Sequence, residues 1–221
     1  MYYSEDGEQG YPGAVKTVAR YEWTEECELR LTLTAESDAP TVINLTNHAY
    51  FNLNGEGNGD ILGHIFTLNA SEYLPTDATQ IPLGESAPVA GTPMDFVNGK
   101  PIGQDIKADF EPLKIGKGYD HCWVIDGHEP GQIQFCCELY APESGRVMEM
   151  YTTQPGVQVY TGNWLSGCPA GKSGHVYEDY TGVAIECQNY PDAPNKPDYP
   201  SSELRPGEVY EQAIIFAFSV K

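Results

Sequence analysis

The sequence predicts an all-β fold, a sandwich, and three observations support this prediction. Polar and apolar residues alternate with a period of two along most apolar segments, as they do in a strand with one buried face. The 23 glycines and 17 prolines fall mostly between these segments, where turns are expected. No stretch of a dozen residues carries the apolar stripe and the capped ends of a helix.

Nine strand-like segments follow one another along the chain. In the clearest, 28–34, polar residues alternate with three leucines. The nine segments are 28–34, 41–45, 61–68, 122–125, 133–140, 146–152, 157–160, 183–187 and 210–220. Two polar segments, 69–109 and 188–207, are predicted to be loops, and loops of this length are usually functional or disordered. The first 13 residues are rich in turn formers and lead straight into a strand, which predicts an unpaired sheet edge.

The composition limits the function classes. The chain has 221 residues, with 12 Lys and Arg against 32 Asp and Glu, and its formal charge is −20. Such a charge repels phosphate groups, so nucleic acid and anionic membranes are poor candidate partners. The longest apolar run, Ala213 to Phe218, is too short to span a bilayer, and no signal-like segment opens the chain. We therefore expect a single domain over residues 1–221, located in the cytoplasm.

The six cysteines predict reduced structural thiols. They form no Cys-x-x-Cys pair and have no histidine at zinc-finger spacing. Several lie in apolar strand-like segments, where a free cysteine behaves as a small buried hydrophobe. Cys122 and Cys187 lie beside polar motifs and are the two cysteines of interest.

The first candidate catalytic residue is Glu186, near the end of the apolar segment 183–187. Burying a carboxylate costs several kcal/mol unless it is hydrogen-bonded or functional. The structural alternative is a glutamate that faces outward or bonds to loop backbone. This segment alone leaves both interpretations open.

Two further motifs carry groups that can transfer a proton or bind a ligand. His48 lies in Asn-Leu-Thr-Asn-His-Ala-Tyr-Phe-Asn-Leu (44–53), and its imidazole can give or take a proton near neutrality. A single histidine in such a segment is nonetheless more often structural. Asp120 and His121 are adjacent in 118–123. Neighbours in a strand point to opposite faces, so these two are not expected to share a site, and no further ligand completes a metal site.

The segment 152–164 offers groups suited to an uncharged, polyhydroxylated ligand. Gln158 and Asn163 provide amide donors and acceptors, and Tyr160 and Trp164 provide flat apolar faces, although the spacing alone is a weak signal. The chain lacks Gly-x-Ser-x-Gly, a phosphate-binding glycine loop ending in lysine, and His-Glu-x-x-His. Serine hydrolysis, phosphate chemistry and zinc proteolysis are therefore not expected. The remaining histidines are expected to lie in solvent without a role: His64, His128 and His175.

Taken together, these motifs resemble the aldose 1-epimerase, or galactose mutarotase, family. The matching segments are 44–53, Gly-Tyr-Asp-His-Cys-Trp (118–123), 152–164 and Glu-Cys-Gln-Asn-Tyr-Pro-Asp-Ala-Pro-Asn (186–195), in the family's order, with 6–13 as a fifth. The similarity covers essentially the whole chain. It implies a large antiparallel β-sandwich that interconverts the α and β anomers of aldoses such as galactose and glucose, without metal or organic cofactor.

The resemblance also implies residue roles. Glu186 matches the family's catalytic base and His48 its catalytic acid, while Asp120 holds sugar hydroxyls and Gln158 lines the pocket. The base takes the anomeric hydroxyl proton while the acid protonates the ring oxygen, so the ring opens to the aldehyde and closes on the other face. At one pH the base must be ionised and the acid protonated. A glutamate base with a histidine acid meets this condition more easily than two carboxyl groups do.

The chain departs from the family in one respect. About the first third of a typical member has no counterpart here, including a pocket arginine and a second histidine in an Asn-x-x-His-Gly-Gly-like segment. We therefore expect a second copy or a partner chain to cover strands that would otherwise be open. Two other function classes remain open at this stage. One is a non-catalytic carbohydrate-binding or scaffold domain, and the other is a glycosidase that uses Glu186 and Asp120 as a carboxylate pair.

Overall fold

The computed structural model describes all 221 residues, and it contains two large antiparallel sheets and a small two-stranded one. The strands, in chain order, are β1 Tyr2–Ser4, β2 Val15–Trp23, β3 Glu28–Ser37, β4 Thr41–Val42, β5 Tyr50–Phe51, β6 Ile65–Leu68, β7 Glu72–Tyr73, β8 Ala87–Pro88, β9 Lys100–Pro101, β10 Asp120–Val124, β11 Gln134–Tyr140, β12 Arg146–Thr152, β13 Gly156–Tyr160, β14 Val183–Gln188, β15 Glu203–Leu204 and β16 Tyr210–Val220. Helix α1 is Glu111–Gly116, and the short 3-10 helices are Glu8–Gly10, Ile102–Gln104 and Ala193–Asn195. None of these helices has the length and apolar character needed to cross a membrane.

The two large sheets pack face to face. The eight-stranded sheet has the order β1-β2-β3-β16-β12-β11-β6-β9, and the six-stranded sheet has the order β5-β14-β13-β10-β7-β8. Along β3, Leu31, Leu33 and Ala35 are buried while the residues between them are not, so the alternation of the sequence sets which face points inward. The predicted all-β sandwich is confirmed.

A core of 30 buried residues fills the space between the two sheets. Its largest side chain is Trp123 of β10, which is fully buried, and whose indole N–H donates to the Met94 carbonyl at 3.1 Å. Phe96 packs edge-on against Trp123 and Tyr119. Burial of each such ring stabilises the fold by about 1.5 to 3 kcal/mol, which anchors β10 firmly beneath the polar side chains that it carries on its other face.

Two predicted strands are shorter than expected. Of segment 41–45 only β4 is a strand, because the chain then turns away and the Leu45 N–H donates to the Tyr210 hydroxyl instead of a neighbouring strand. Of segment 61–68 only β6 is a strand, since Ile61 and His64 close a turn. The predicted loop 69–109 also contains short strands, β7 to β9. Tertiary contacts override local propensity at each of these places.

The eight-stranded sheet extends beyond the six-stranded sheet at β1 and β2. Phe51, on the edge strand β5, packs over Phe216 of β16 with ring centroids 5.5 Å apart, and no strand of the six-stranded sheet lies further out. In β2, Tyr21 pairs with Leu31 and Trp23 with Leu29, so both aromatic rings point to the inward face. They are nevertheless 54% and 62% exposed. We call this region, β1 and β2 with their uncovered inward face, the open end. The sequence predicted the unpaired edge at the strand after residue 13, but β1, within the first 13 residues, pairs with that strand and forms the edge instead.

Candidate functional site

The six-stranded sheet gathers polar residues from three strands on one face. Glu186 of β14 lies directly opposite Gln158 of β13, and Asp120 of β10 lies directly opposite Tyr160 of β13. Residues opposite each other in an antiparallel pair share a face, as do residues two apart in one strand. These four side chains therefore share one face, which we call the cleft face.

The residues next in sequence point the other way. His121 is 1% exposed and lies against Trp123 with ring centroids 6.3 Å apart, and Cys187 is fully buried in the core. The prediction that Asp120 and His121 do not share a site is confirmed. No three His, Cys, Asp or Glu side chains converge in an arrangement that could hold a metal ion.

Glu186 and His48 form the centre of the cleft face. The His48 Nε2 atom lies 3.3 Å from the Glu186 Oε1 atom. The Glu186 side chain is only 10% exposed, whereas the His48 side chain is 51% exposed. A buried carboxylate therefore lies beneath an imidazole that a ligand can reach from solvent.

The loop between β4 and β5 places His48 over β14. The Asn44 side-chain amide donates to the Asn189 carbonyl at 3.0 Å, and its oxygen accepts the Asn189 N–H at 2.9 Å. The Thr46 hydroxyl donates to the Cys187 carbonyl at 2.8 Å. Short polar side chains readily bond to nearby backbone in this way. The polar residues before His48 thus tie the loop to the end of the strand that carries Glu186.

Asp120 is held by two amides on the same face. The Gln158 Nε2 atom donates to Asp120 Oδ1 at 2.7 Å, and the Gln80 Nε2 atom lies 3.5 Å from Asp120 Oδ2. Gln80 comes from the loop after β7 and was not anticipated from the sequence. Amides and a carboxylate together offer both donors and acceptors to hydroxyl groups.

Burial and neighbouring charge shift the pKa values of both carboxyls. Burial raises the pKa of Glu186 above its ordinary value; the Asp120 charge adds to this rise, and the nearby His48 opposes it. Burial also raises the pKa of Asp120, against the lowering effects of the Gln158 and Gln80 hydrogen bonds and of His48. A carboxylate with a raised pKa is a stronger base near neutral pH, as a general base requires.

Aromatic rings flank the His48 side chain. The Tyr50 ring centroid lies 5.1 Å from that of His48, and the Tyr160 centroid lies 6.4 Å from it. Tyr50 belongs to the motif around His48 but was not singled out from the sequence. Flat apolar faces beside donors and acceptors suit a sugar ring, which is polar at its rim and apolar across its C–H face.

Asn163 of segment 152–164 lies away from the cleft face, whereas the Trp164 N–H donates to the hydroxyl of Tyr160, on that face, at 3.1 Å. Asn163 is fully buried, and its amide donates to the Gly116 and Tyr119 carbonyls at 2.8 and 2.9 Å, so it holds the start of β10. The expectation that Asn163 binds a ligand is not met. Trp164 is exposed, with the Lys117 Nζ atom 4.6 Å from its ring centroid.

The expectation that His64 lies in solvent is wrong. His64 is 1% exposed, and its Nε2 atom accepts the Leu53 N–H at 3.0 Å, which fixes the chain just after β5. His175 is exposed, and His128 is half-buried beside Gln134. All six cysteines are unpaired, and four of them are buried.

The cleft face is open on one side. Neither Glu186 nor His48 lines any of the four cavities of about 410 to 500 Å³. The last of these, about 490 Å³, adjoins the cleft through Tyr50 and lies along the edge strand β5. The Asn47 amide donates to the Tyr21 hydroxyl at 3.0 Å, so the loop that carries His48 also contacts the open end.

Comparison with known proteins identifies the family to which these features belong. The sequence pattern described as aldose 1-epimerase matches residues 1–217. The galactose mutarotase of Homo sapiens is 44% identical over 217 residues, which are 98% of this chain and 61% of that protein. The aldose 1-epimerase of Escherichia coli (strain K12) is 36% identical over 97% of this chain and 62% of its own length. The chain thus spans about three fifths of the relatives that it matches.

Solved structures agree with the sequence matches. The galactose 1-epimerase of Lactobacillus acidophilus NCFM superposes with a TM-score of 0.85 at 29% identity, over 99% of this chain and 61% of that one. An aldose epimerase homologue from C. elegans gives a TM-score of 0.87 at 29% identity, over 99% and 64% of the two chains. The predicted galactose mutarotase-like sandwich is confirmed.

Proposed function

This chain belongs to the aldose 1-epimerase family, and we propose that it interconverts the α and β anomers of hexoses such as galactose and glucose. The observation that carries the proposal is the contact between a buried carboxylate and an exposed imidazole, with Glu186 Oε1 and His48 Nε2 separated by 3.3 Å. The match over residues 1–217 supports the same chemistry. We propose that the mutarotase-like domain comprises residues 1–221.

The proposed reaction needs a base and an acid side by side. The anomeric hydroxyl and the ring oxygen are bonded to the same carbon, C1. Glu186 takes the proton of the anomeric hydroxyl while His48 gives a proton to the ring oxygen, so the C1–O5 bond breaks and an open-chain aldehyde forms. After rotation about C1–C2, His48 takes back the proton of the O5 hydroxyl as O5 attacks C1, and Glu186 returns its proton to the carbonyl oxygen.

Asp120 and Gln158 have a binding role in this proposal. Their hydrogen bond of 2.7 Å fixes the carboxylate while leaving acceptor sites for sugar hydroxyls. The ionisable group in direct contact with Glu186 is His48 rather than Asp120. This pairing supplies the adjacent base and acid that ring opening requires, whereas the glycosidase alternative, which would use Glu186 and Asp120, gives His48 no role.

The open end is the proposed binding surface for further polypeptide, either a second copy of this chain or a partner chain. Tyr21 and Trp23 present large apolar rings to solvent on the inward side of the sheet, where sandwich proteins place core residues. Sedimentation velocity at several protein concentrations distinguishes the two occupants, because only self-association depends on the concentration of this chain alone. A chain that sediments as a monomer both when purified and in cell extract would contradict the proposal.

The proposed location is the cytoplasm. The six unpaired cysteines support a reducing compartment, since disulfides form readily in oxidising ones. Fractionation of cells that produce the untagged protein tests this location.

Two-dimensional exchange NMR tests the proposed function with galactose and with glucose. The account predicts cross-peaks between the α and β anomeric protons that depend on the protein. Saturation transfer to the sugar without exchange cross-peaks would instead identify a carbohydrate-binding domain without turnover. If the sugar shows no saturation transfer and no exchange, both functions are contradicted.

A further inference from the structure

Gln80 reaches the cleft face from a part of the chain that shows no family motif. Its Nε2 atom lies 3.5 Å from Asp120 Oδ2, while Gln158 Nε2 donates to Asp120 Oδ1 at 2.7 Å. The two amides thus approach different oxygens of the same carboxylate. They are the side chains that donate to Asp120.

The loop that carries Gln80 is built as a tight turn. The Asp77 Oδ1 atom accepts the N–H groups of Thr79 and Ile81 at 2.8 and 3.1 Å, and the Thr79 hydroxyl at 2.7 Å. The Asp77 N–H also donates to the Ile81 carbonyl at 2.9 Å. Asp side chains favour such turns because they can bond to backbone two residues further on. The turn fixes where the Gln80 side chain leaves the backbone.

The backbone at Gln80 is strained. Its φ is 65°, in the left-handed region that a residue with a Cβ rarely adopts. Such conformations persist where the surrounding structure enforces them, and they cluster at sites of function. Six non-glycine residues have such a φ, and Gln80 is the one among them whose side chain approaches Asp120.

We propose that Gln80 is a positioning residue for sugar binding, which holds the second oxygen of Asp120 so that the carboxylate presents one orientation to the sugar hydroxyls. This inference rests on the proposed function. With both oxygens engaged, rotation of the carboxylate is restricted and the remaining lone pairs point in fixed directions. Gln80 acts through Asp120, and its own oxygen remains free as a further acceptor at the rim of the cleft.

Gln80→Leu tests the proposal by steady-state kinetics. The variant keeps the size of the side chain but loses the donor, and we expect KM for galactose to rise about three- to tenfold with a smaller change in kcat. Gln132→Leu is the matched control, because Gln132 is exposed in the loop before β11. A KM for Gln80→Leu within about twofold of the control would overturn the proposal.

Titration of Asp120 gives a second readout that does not need turnover. The Gln80 hydrogen bond lowers the pKa of Asp120, so its loss should shift the 13C-detected titration of this carboxyl to higher pH. The titratable groups that face Asp120 are His48, Glu186, Tyr50 and Tyr160, and all four remain in the variant. An unchanged Asp120 pKa would also overturn the proposal.

A second variant covers the case in which Gln80→Leu fails to fold. Gln80→Asn tolerates the left-handed backbone but is one methylene shorter, so we expect the same direction of change in KM and in the Asp120 pKa. If the wild-type chain shows no epimerase activity, the proposed function fails. The Asp120 titration then still decides whether Gln80 holds this carboxylate.

Discussion

The two faces of the six-stranded sheet carry opposite chemistry although their residues alternate along the same strands. On β14, Glu186 faces the cleft and Cys187 faces the core; on β10, Asp120 faces the cleft and His121 the core. The cleft face contains paired donors and acceptors. The core face contains thiols, apolar rings and an imidazole whose Nε2 atom has no hydrogen-bond partner.

This contrast teaches that neighbours in sequence do not share a role in this sheet. Changes on the cleft face should reduce turnover and leave stability largely intact. Changes on the core face should alter stability and leave turnover largely intact, because their side chains never reach the sugar. Four predictions test this separation, in order of decreasing effect on turnover.

The largest effect is expected from Glu186→Gln. Removing the base should lower kcat/KM by about 10³-fold, measured by polarimetry, within the range of 10² to 10⁴ that a general base commonly contributes. The free energy of unfolding should stay equal or rise, because burial raises the pKa of Glu186 and an ionised carboxylate there costs stability. Cys187→Ala is the matched control on the opposite face. Retained turnover in Glu186→Gln would remove Glu186 as the base.

His48→Asn should lower kcat by at least about 10²-fold if His48 is the acid. Asparagine keeps a polar side chain but cannot give a proton to the ring oxygen. His175→Asn is the control, because His175 is exposed and its ring lies against Gly57. A His48→Asn rate close to that of the control would refute the role of His48.

His121→Asn makes the same substitution on the core face, where the effect should be on stability. Burial lowers the pKa of His121 to about 4, so the folded state resists a proton that the unfolded state accepts near pH 6.5. The stability that neutral His121 permits is therefore fully present above about pH 6.5, and it decreases as the pH drops towards 4. From about pH 7.5 to about pH 5 this one group should cost about 2 kcal/mol in urea unfolding, and the variant should lose that part of the decrease. If the unfolding free energies of wild type and His121→Asn depend on pH equally, His121 is not the group that lowers stability towards pH 5.

Thiol reagents should have the smallest effect. Cys27 and Cys168 are exposed, whereas the other four cysteines are buried, among them Cys122 on the cleft face. Burial also raises the pKa of the Cys122 thiol, so little reactive thiolate forms there. We expect two thiols to react rapidly in the native protein and six after unfolding, with sugar binding unchanged. Rapid loss of binding on labelling would place a reactive cysteine in the site.

The sequence predicted β12 and β16 well because turn residues precede their apolar residues, whereas it gave no bounds for the nine-residue strand β2. Strands β12 and β16 begin and end where the pattern predicts, and a left-handed glycine, Gly145, marks the start of β12. Strand β4 could not be predicted at its observed length. After it, the Ile43 N–H donates to the Ser202 carbonyl and the Leu45 N–H donates to the Tyr210 hydroxyl of β16 instead of continuing a ladder, and periodicity does not distinguish the two.

The candidate site was predictable where chemistry lies in a motif and not where it depends on tertiary structure. Glu186, His48, Asp120 and Gln158 were all identified from the sequence, and the structure brings them to one face; their roles remain a prediction. Gln80 lies in a loop without periodicity, and its placement depends on the Asp77 turn and a left-handed backbone. The buried state of His64 likewise depends on a partner, the Leu53 N–H, that no local pattern reveals.

The most direct test of the account is polarimetry of freshly dissolved α-D-galactose with the 221-residue chain. The comparison includes buffer alone, Glu186→Gln and the exposed strand variant Glu36→Gln. We expect wild type and Glu36→Gln to accelerate mutarotation over buffer and Glu186→Gln not to. Equal acceleration by Glu186→Gln, or none by a folded wild-type chain, would contradict the claim that the Glu186–His48 pair opens the sugar ring.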